Sequence, residues 1–328
     1  MIAARTLLIG GVLLGALTAV GCSDSDDDGP AEEVDTSADG GVAPDGLRVA
    51  DSRVNVADAI MAIESAITDN PAARVVTIVD HEDAAAMREA GPLRPTRVIL
   101  FGNPNLGTPL MQANRTLGLD LPQKILAWET DEGETQLAWN TPSWLARRHG
   151  IEDDEAAGDV LGTIGEVLET LATNAAGQAP EAADLTGPTV AAGDGLEVLE
   201  STRDFDTTYA ALEEAITAAG PLGIVARLDH AANAANAELE LPPTKLIVFG
   251  NPSLGSGLMA ERQTAGIDLP QKMLVYEEEG GVSIAWNDPA YVAERHGIVG
   301  EDDAVEAIAA ALLGLARTAA GTDGEGGR

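Results

Sequence analysis

The chain has 328 residues, enough for two ordinary domains, and 45% hydrophobic residues allow packed cores and exclude wholesale disorder. Aromatics are only 3%, which argues against a base-stacking surface, and 19 basic against 54 acidic residues leave a net charge of −35 that repels nucleic acid and anionic headgroups. The single cysteine, Cys22, excludes internal disulfides, thiolate zinc sites, iron–sulfur clusters and covalent c-type haem.

Residues 1–21 read as a bacterial lipoprotein signal. Arg5 is followed by an apolar run from Leu7 to Val20, then Gly21 and Cys22. That run is shorter than the roughly 20 residues of a membrane-spanning helix and fits a signal core. The Ala19-Val20-Gly21-Cys22 end resembles a lipobox, in which the cysteine thiol carries the lipid. The expected location is therefore the bacterial cell envelope, lipid-anchored on the periplasmic face or in the outer membrane. Residues 22–46 are rich in Asp and Glu and contain no base, so they are expected to form a disordered tether.

The remainder repeats. FGNPNLG at 101–107 recurs as FGNPSLG at 249–255, and DLPQK at 120–124 recurs at 268–272. Trp139-Asn140 recurs as Trp286-Asn287, Arg148-His149-Gly150 as Arg295-His296-Gly297, and Asp80-His81 as Asp229-His230. Two copies of one domain follow, at 47–178 and 195–321, with a linker at 179–194 and a tail at 322–328. A period this long means duplicated domains, not a solenoid.

Within each copy, a short strand near 47–50 or 196–200 leads to an amphipathic helix. In copy two this helix carries Tyr209, Leu212 and Ile216, with Asp204 or Asp206 as N-cap. A β-branched run then ends in Asp-His, and a second strand, Val98–Phe101 or Leu246–Phe249, runs into Gly-Asn-Pro. Two further strands flank a hairpin, at 125–129 and 135–139 in copy one and at 273–277 and 282–286 in copy two. A short helix follows, with Thr141 or Asp288 as N-cap, Pro142 or Pro289 at its first position and Gly150 or Gly297 past its end. A long Ala/Leu helix closes each copy. Strands grouped between helices indicate an α+β sandwich with helices on one face of a mostly antiparallel sheet. The two copies are expected to pack as an intramolecular pseudo-dimer, because a short linker gives them a high effective concentration.

The FGNP–LM–DLPxK–WNxP–RHG series resembles the family called domain of unknown function 302. The resemblance implies a fold similar to the TATA-binding-protein half-domain, β-α-β-β-β-β-α, and implies no established chemistry.

All four histidines, His81, His149, His230 and His296, fall at two positions that both copies keep. Imidazole ligates metals and haem iron and titrates near neutrality. These four are the candidate cofactor-binding residues, for haem b or a divalent metal. The alternative readings are a helix C-terminal cap for His149 and His296, and a polar residue leaving the sheet for His81 and His230. Asn103, Lys124, Asn251 and Lys272 are candidate anion-binding residues, each asparagine opening a helix and each lysine supplying charge. The alternatives are an N-cap and a solvated lysine. Trp139 and Trp286 read as core, and Asn140 and Asn287 as turn formers. No dinucleotide, Walker, nucleophile-elbow or zincin motif occurs. The expected function is a small ligand-binding module present twice. The alternatives are an enzyme using histidine as acid or base, or a purely structural module.

If Cys22 is lipidated, globomycin treatment accumulates the uncleaved precursor and Cys22→Ser releases the protein from the membrane. A Cys22→Ser protein that is processed and stays membrane-bound rejects this.

Overall fold

The computed structural model describes residues 43–87, 91–180 and 188–322. Cys22 and its flanking segment lie outside the described residues, as does the C-terminal tail beyond Thr322.

Copy one runs β1 (Leu47–Ser52), α1 (Val56–Thr68), β2 (Arg74–Asp80), α2 (His81–Ala86), β3 (Thr96–Gly102), α3 (Pro104–Ala113), a 3-10 turn (Arg115–Leu119), β4 (Gln123–Glu129), β5 (Thr135–Asn140), α4 (Pro142–Arg148) and α5 (Glu155–Ala176). Copy two repeats the order as β6 (Leu196–Ser201), α6 (Phe205–Ala218), β7 (Gly223–Asp229), α7 (His230–Asn236), β8 (Thr244–Gly250), α8 (Pro252–Glu261), a 3-10 turn (Gln263–Ile267), β9 (Gln271–Glu278), β10 (Gly281–Asn287), α9 (Pro289–His296) and α10 (Asp302–Ala320). Each copy forms one antiparallel five-stranded sheet, ordered β1-β5-β4-β3-β2 and β6-β10-β9-β8-β7. The architecture is two tandem α+β domains. Short helices α2, α3 and α4, with their copy-two equivalents, interrupt the simpler β-α-β-β-β-β-α series expected from the resemblance.

Local chemistry sets the element ends. Asn55 caps α1 by accepting from the Asp58 amide, and Asp204 does the same for α6 with Thr207. Asp206 is therefore a first-turn acid and not the cap. Thr141 and Asp288 cap α4 and α9, with proline at the first turn. On α1 the residues Ile60, Ile63 and Ile67 form the buried stripe.

Strands β3 and β4 are apolar on both faces. Ile99, Phe101, Ile125 and Leu137 pack with Ile60, Ile63, Ile164 and Leu168 under the helices α1 and α5. Their alternating neighbours Val98, Leu100, Leu126, Trp128 and Ala138 join Leu246, Val248, Leu274, Tyr276 and Ala285 of the other sheet in one apolar cluster. Close approach fixes this contact. A Cβ on Gly118 would sit 2.9 Å from Leu274 Cδ1, and one on Gly266 would sit 3.0 Å from Leu126 Cδ1.

Asp45 and Gly46, which the sequence groups with the tether, belong to the folded part. The Asp45 carboxylate accepts from the Thr189 and Val190 amides, and its carbonyl accepts from Arg295. Gly46 has φ of +70°, and a Cβ there would fall 2.1 Å from Trp144; its copy-two equivalent Gly195 has φ of +64° and would strike Tyr291 at 2.2 Å. Only glycine satisfies both the backbone and the space at these strand starts.

Leu126 is fully buried between the sheets. Leu126→Ala is expected to cost about 2–5 kcal/mol in urea unfolding, whereas Val198→Ala, at a side chain 47% exposed, should stay within about 0.5 kcal/mol. Equal costs at the two positions would contradict the inter-sheet core.

Candidate functional site

The repeated motifs build two distinct kinds of site. The first is a buried polar centre shared by the copies. Arg148, at the end of α4, donates to Asp120 Oδ2 at 2.6 Å and crosses to Asn287 Oδ1 at 2.9 Å and to the Asp194 and Gly195 carbonyls. Arg295 mirrors it, donating to Asp268 Oδ2 at 2.8 Å, Asn140 Oδ1 at 2.8 Å and the Asp45 carbonyl. Both guanidinium groups lie over the Trp144 ring, at 5.0 and 4.0 Å, and Arg148 also lies over Tyr291 at 5.3 Å. The arginine of each RHG motif thus reads the asparagine of the other copy's WN motif.

His149 and His296 complete this centre. His149 Nε2 lies 2.9 Å from Asp120 Oδ2 and its Nδ1 lies 2.7 Å from Thr116 Oγ1. His296 makes the same pair of contacts to Asp268 at 2.9 Å and Thr264 at 3.0 Å. Lys124 Nζ stands 3.8 Å from Asp120 Oδ1 and 3.7 Å from Asp268 Oδ1, and Lys272 Nζ donates to the Asp268 carbonyl at 3.1 Å.

The electrostatics follow from burial and neighbours. Burial opposes ionisation of Asp120, but Arg148, the His149 hydrogen bond and Lys124 outweigh it and hold the carboxyl well below its usual range. Asp268 is held down in the same way by Arg295, His296 and Lys124. Burial lowers both His149 and His296 against their carboxylate partners, which favours neutral rings. Lys272 is pushed down to about 7, first by burial and then by the charge on Lys124.

The second kind of site is a pair of related clefts, each built from both copies. In one, with a volume of about 210 Å³, copy one contributes Val79, His81 and Ala84, and copy two contributes the Asn251-Pro252 turn, Leu269, Pro270 and α10 side chains such as Leu312. In the other, about 750 Å³, copy two contributes Leu228, His230 and Asn233, and copy one contributes Asn103-Pro104, Leu121, Pro122 and α5 side chains such as Leu168. The Leu121–Pro122 and Leu269–Pro270 peptide bonds are cis. In β2 and β7 the register slips between Val75 and Thr77 and between Ile224 and Ala226, beside residues that line the clefts.

His81 Nε2 lies 3.2 Å from the Gly266 carbonyl of the other copy, and His230 Nε2 lies 3.2 Å from that of Gly118. A carbonyl accepts only, so Nε2 carries the hydrogen. Burial lowers each ring to about 4, against the smaller opposing effects of that carbonyl and the preceding aspartate, so both rings are neutral at neutral pH. Nδ1 then carries the lone pair.

The structure separates the predicted site residues. His81 and His230 line the clefts, one each. They open α2 and α7 behind the capping aspartates Asp80 and Asp229, and are not polar residues leaving the sheet. His149 and His296 lie in the polar centre with both ring nitrogens engaged, so neither offers a nitrogen to a metal or haem iron, and neither ring caps helix carbonyls. Among the described residues, no group of three or more His, Cys, Asp or Glu side chains could hold a metal ion. Asn103 and Asn251 line the clefts and cap α3 and α8, accepting from the Asn105 and Ser253 amides. Lys124 and Lys272 are buried between the sheets, so the expected pairing of lysine with the asparagine turn does not form, and neither lysine is solvated. Trp139 and Trp286 are core residues. Asn140 and Asn287 receive the crossing arginines instead of forming turns. Sequence reasoning passed over Asp120, Asp268, Arg148 and Arg295, although all four stand inside motifs that both copies retain.

The fold and these sites define a tandem α+β protein whose two copies share one apolar layer between the sheets and one polar centre. The family model described as domain of unknown function DUF302 matches residues 49–171 and 197–315, and the chain belongs to that family. A stretch of 127 residues is 43% identical to the fluoride-specific ion channel FluC 1 of Brucella suis biovar 1 (strain 1330), covering 38% of this chain and 49% of that protein. FluC 1 of Brucella abortus biovar 1 (strain 9-941) is likewise 43% identical over 127 residues, 38% of this chain and 46% of that protein. The chain therefore spans about half the length of the curated relatives it matches. An uncharacterized conserved protein DUF302 from Bacillus stearothermophilus aligns at 17% identity with a TM-score of 0.36, covering 38% of this chain and 98% of that one.

The lysine in the polar centre has a measurable signature. The unfolded chain keeps the Lys272 proton up to about pH 10.5, whereas the folded protein releases it near 7. Between those values the unfolded state binds more protons, so stability rises with pH. Urea unfolding from about pH 7 to about pH 10 should show this rise, and Lys272→Met should flatten it. An unchanged slope in Lys272→Met would refute the assignment.

Proposed function

We propose that this protein is a two-site binding module for small, largely apolar molecules, tethered to the bacterial cell envelope through a lipid on Cys22. The observation that carries the reading is the pair of clefts. Each is formed only where the copies meet, and each gathers the asparagine-proline turn, the cis proline and the histidine that the two copies retain. A cleft with mainly apolar walls and a few placed polar groups is the usual form of a small-molecule site. The neutral rings of His81 and His230 suit acceptance of a hydrogen bond from a ligand at Nδ1, with Nε2 held by the facing copy.

Divalent metal and haem b fit these residues poorly. Among the described residues, each cleft is lined by one histidine and no carboxylate. Volumes of about 210 and about 750 Å³ do not offer the same macrocycle two equivalent slots. The Brucella proteins that share part of this sequence are named as fluoride channels. Among the described residues of this chain, no helix is long and apolar enough to cross a membrane. The internal pairing of the copies is part of the proposal, because neither cleft is complete without both.

The test uses 1-octanol as the probe, titrated calorimetrically into the full chain. Leu254 and Leu106 occupy equivalent places, one in each cleft. Leu254→Trp and Leu106→Trp should each remove one of two binding sites without lowering the unfolding temperature, and the double variant should bind nothing. Undiminished stoichiometry in the double variant would count against the clefts.

A further inference from the structure

The two clefts occupy equivalent places, yet their walls have diverged in one direction. Arg74 pairs with Gly102 in β2, where Gly223 pairs with Gly250 in β7. Arg227 stands opposite Ile247, where Ile78 stands opposite Ile99. Asn233, three residues after His230, replaces Ala84, three residues after His81. In all three substitutions the polar residue belongs to the larger cleft. Arg74 and Arg227 both line it, and among the described residues neither arginine nor lysine lines the smaller cleft.

Charge sharpens this contrast. Asp and Glu supply 54 of 328 residues, yet among the described residues none lines the larger cleft. Arg227 is paired with Glu213 at 2.7 Å, outside the lining. Arg74 donates through Nη1 to the carbonyls of Pro71 and Ala73, so its position is fixed by backbone while its charge meets no carboxylate among the described residues. Among the described residues, Glu213 matches the Arg227 charge, so Arg74 is the cation of this lining that no carboxylate neutralises, in a chain of net charge −35. The remaining wall is apolar, with Phe101, Met111, Leu121 and Leu168 among its residues.

We propose that the larger cleft takes a small amphiphilic anion, an apolar body bearing a carboxylate, with Arg74 as its charge partner, while the smaller cleft takes an uncharged apolar molecule. This inference rests on the two-cleft reading and adds the chemical class of each ligand. Arg74 and the asparagine side chains Asn103 and Asn233 meet the carboxylate at the mouth, and the alkyl body lies against the wall formed by α3 and α5. The duplicated module thereby carries two specificities on one scaffold.

The experiment compares sodium octanoate with 1-octanol on the full chain by calorimetry at neutral pH. Octanoate should bind one site, and Leu106→Trp should abolish it. Arg74→Gly, which installs the residue used in the other copy, should weaken octanoate about tenfold, the scale of a lost charge-assisted hydrogen bond, and leave octanol unchanged. Arg74→Gln, which keeps the length of the side chain, should weaken octanoate similarly. Raised salt should weaken octanoate and not octanol. Octanol binding with no octanoate preference, or octanoate affinity indifferent to both Arg74 variants, overturns this inference alone. Absence of binding by either probe overturns it together with the two-cleft reading.

Discussion

Each sheet is apolar on both faces, and the helices of its own copy can cover only one. In β3 and β4 the alternating set Ile99, Phe101 and Ile125 is covered by α1 and α5, but Val98, Leu100, Leu126 and Trp128 point away from those helices. At roughly 25 cal/mol for each Å² of apolar surface, leaving that second face in water would forfeit much of a domain's stability. The second copy supplies the cover. Duplication therefore solves a burial problem.

The polar centre sits inside that layer and fixes how the sheets meet. Apolar surfaces slide easily, because the hydrophobic effect has no direction. Directed bonds do not. Each RHG arginine must find both its own DLPxK aspartate and the other copy's WN asparagine. A shift between the sheets would leave each arginine its own aspartate but take away the asparagine and backbone carbonyl that the other copy offers it. Buried ion pairs are weak evidence for stability, and their best-attested role is to select one arrangement among several.

The clefts are a consequence of the same geometry. The 3-10 turns that follow α3 and α8 end in Asp120 and Asp268, anchored in the polar centre. Two residues before each aspartate, the Gly118 and Gly266 carbonyls accept from the histidine of the opposite copy. One residue beyond each aspartate, Leu121-Pro122 and Leu269-Pro270 form cleft wall. A single short segment in each copy thus joins the centre to a cleft, and ties the wall of that cleft to both copies.

Much of this was legible in the sequence. The repeat, the strand order along the chain, the N-caps Thr141, Asp204 and Asp288 and the core tryptophans all follow from local pattern, because capping and periodicity are properties of neighbouring residues. The continuous apolar runs in β3, β4, β8 and β9 also announce strands buried on both faces. The partners of the motif residues were not legible. His81 and His149 look alike as repeated histidines, yet one lines a cleft and the other closes an ion network. Lys124 and Asn103 share neighbouring motifs, yet one faces the sheet interface and the other a helix start. The contacts that join the copies link residues more than 100 positions apart, as in Arg148 with Asn287 and His230 with Gly118. The sequence determined which side chains each copy would offer. Only the packing of sheet against sheet decided which of them would meet, because alternation along a strand settles a residue's face and says nothing of what lies opposite.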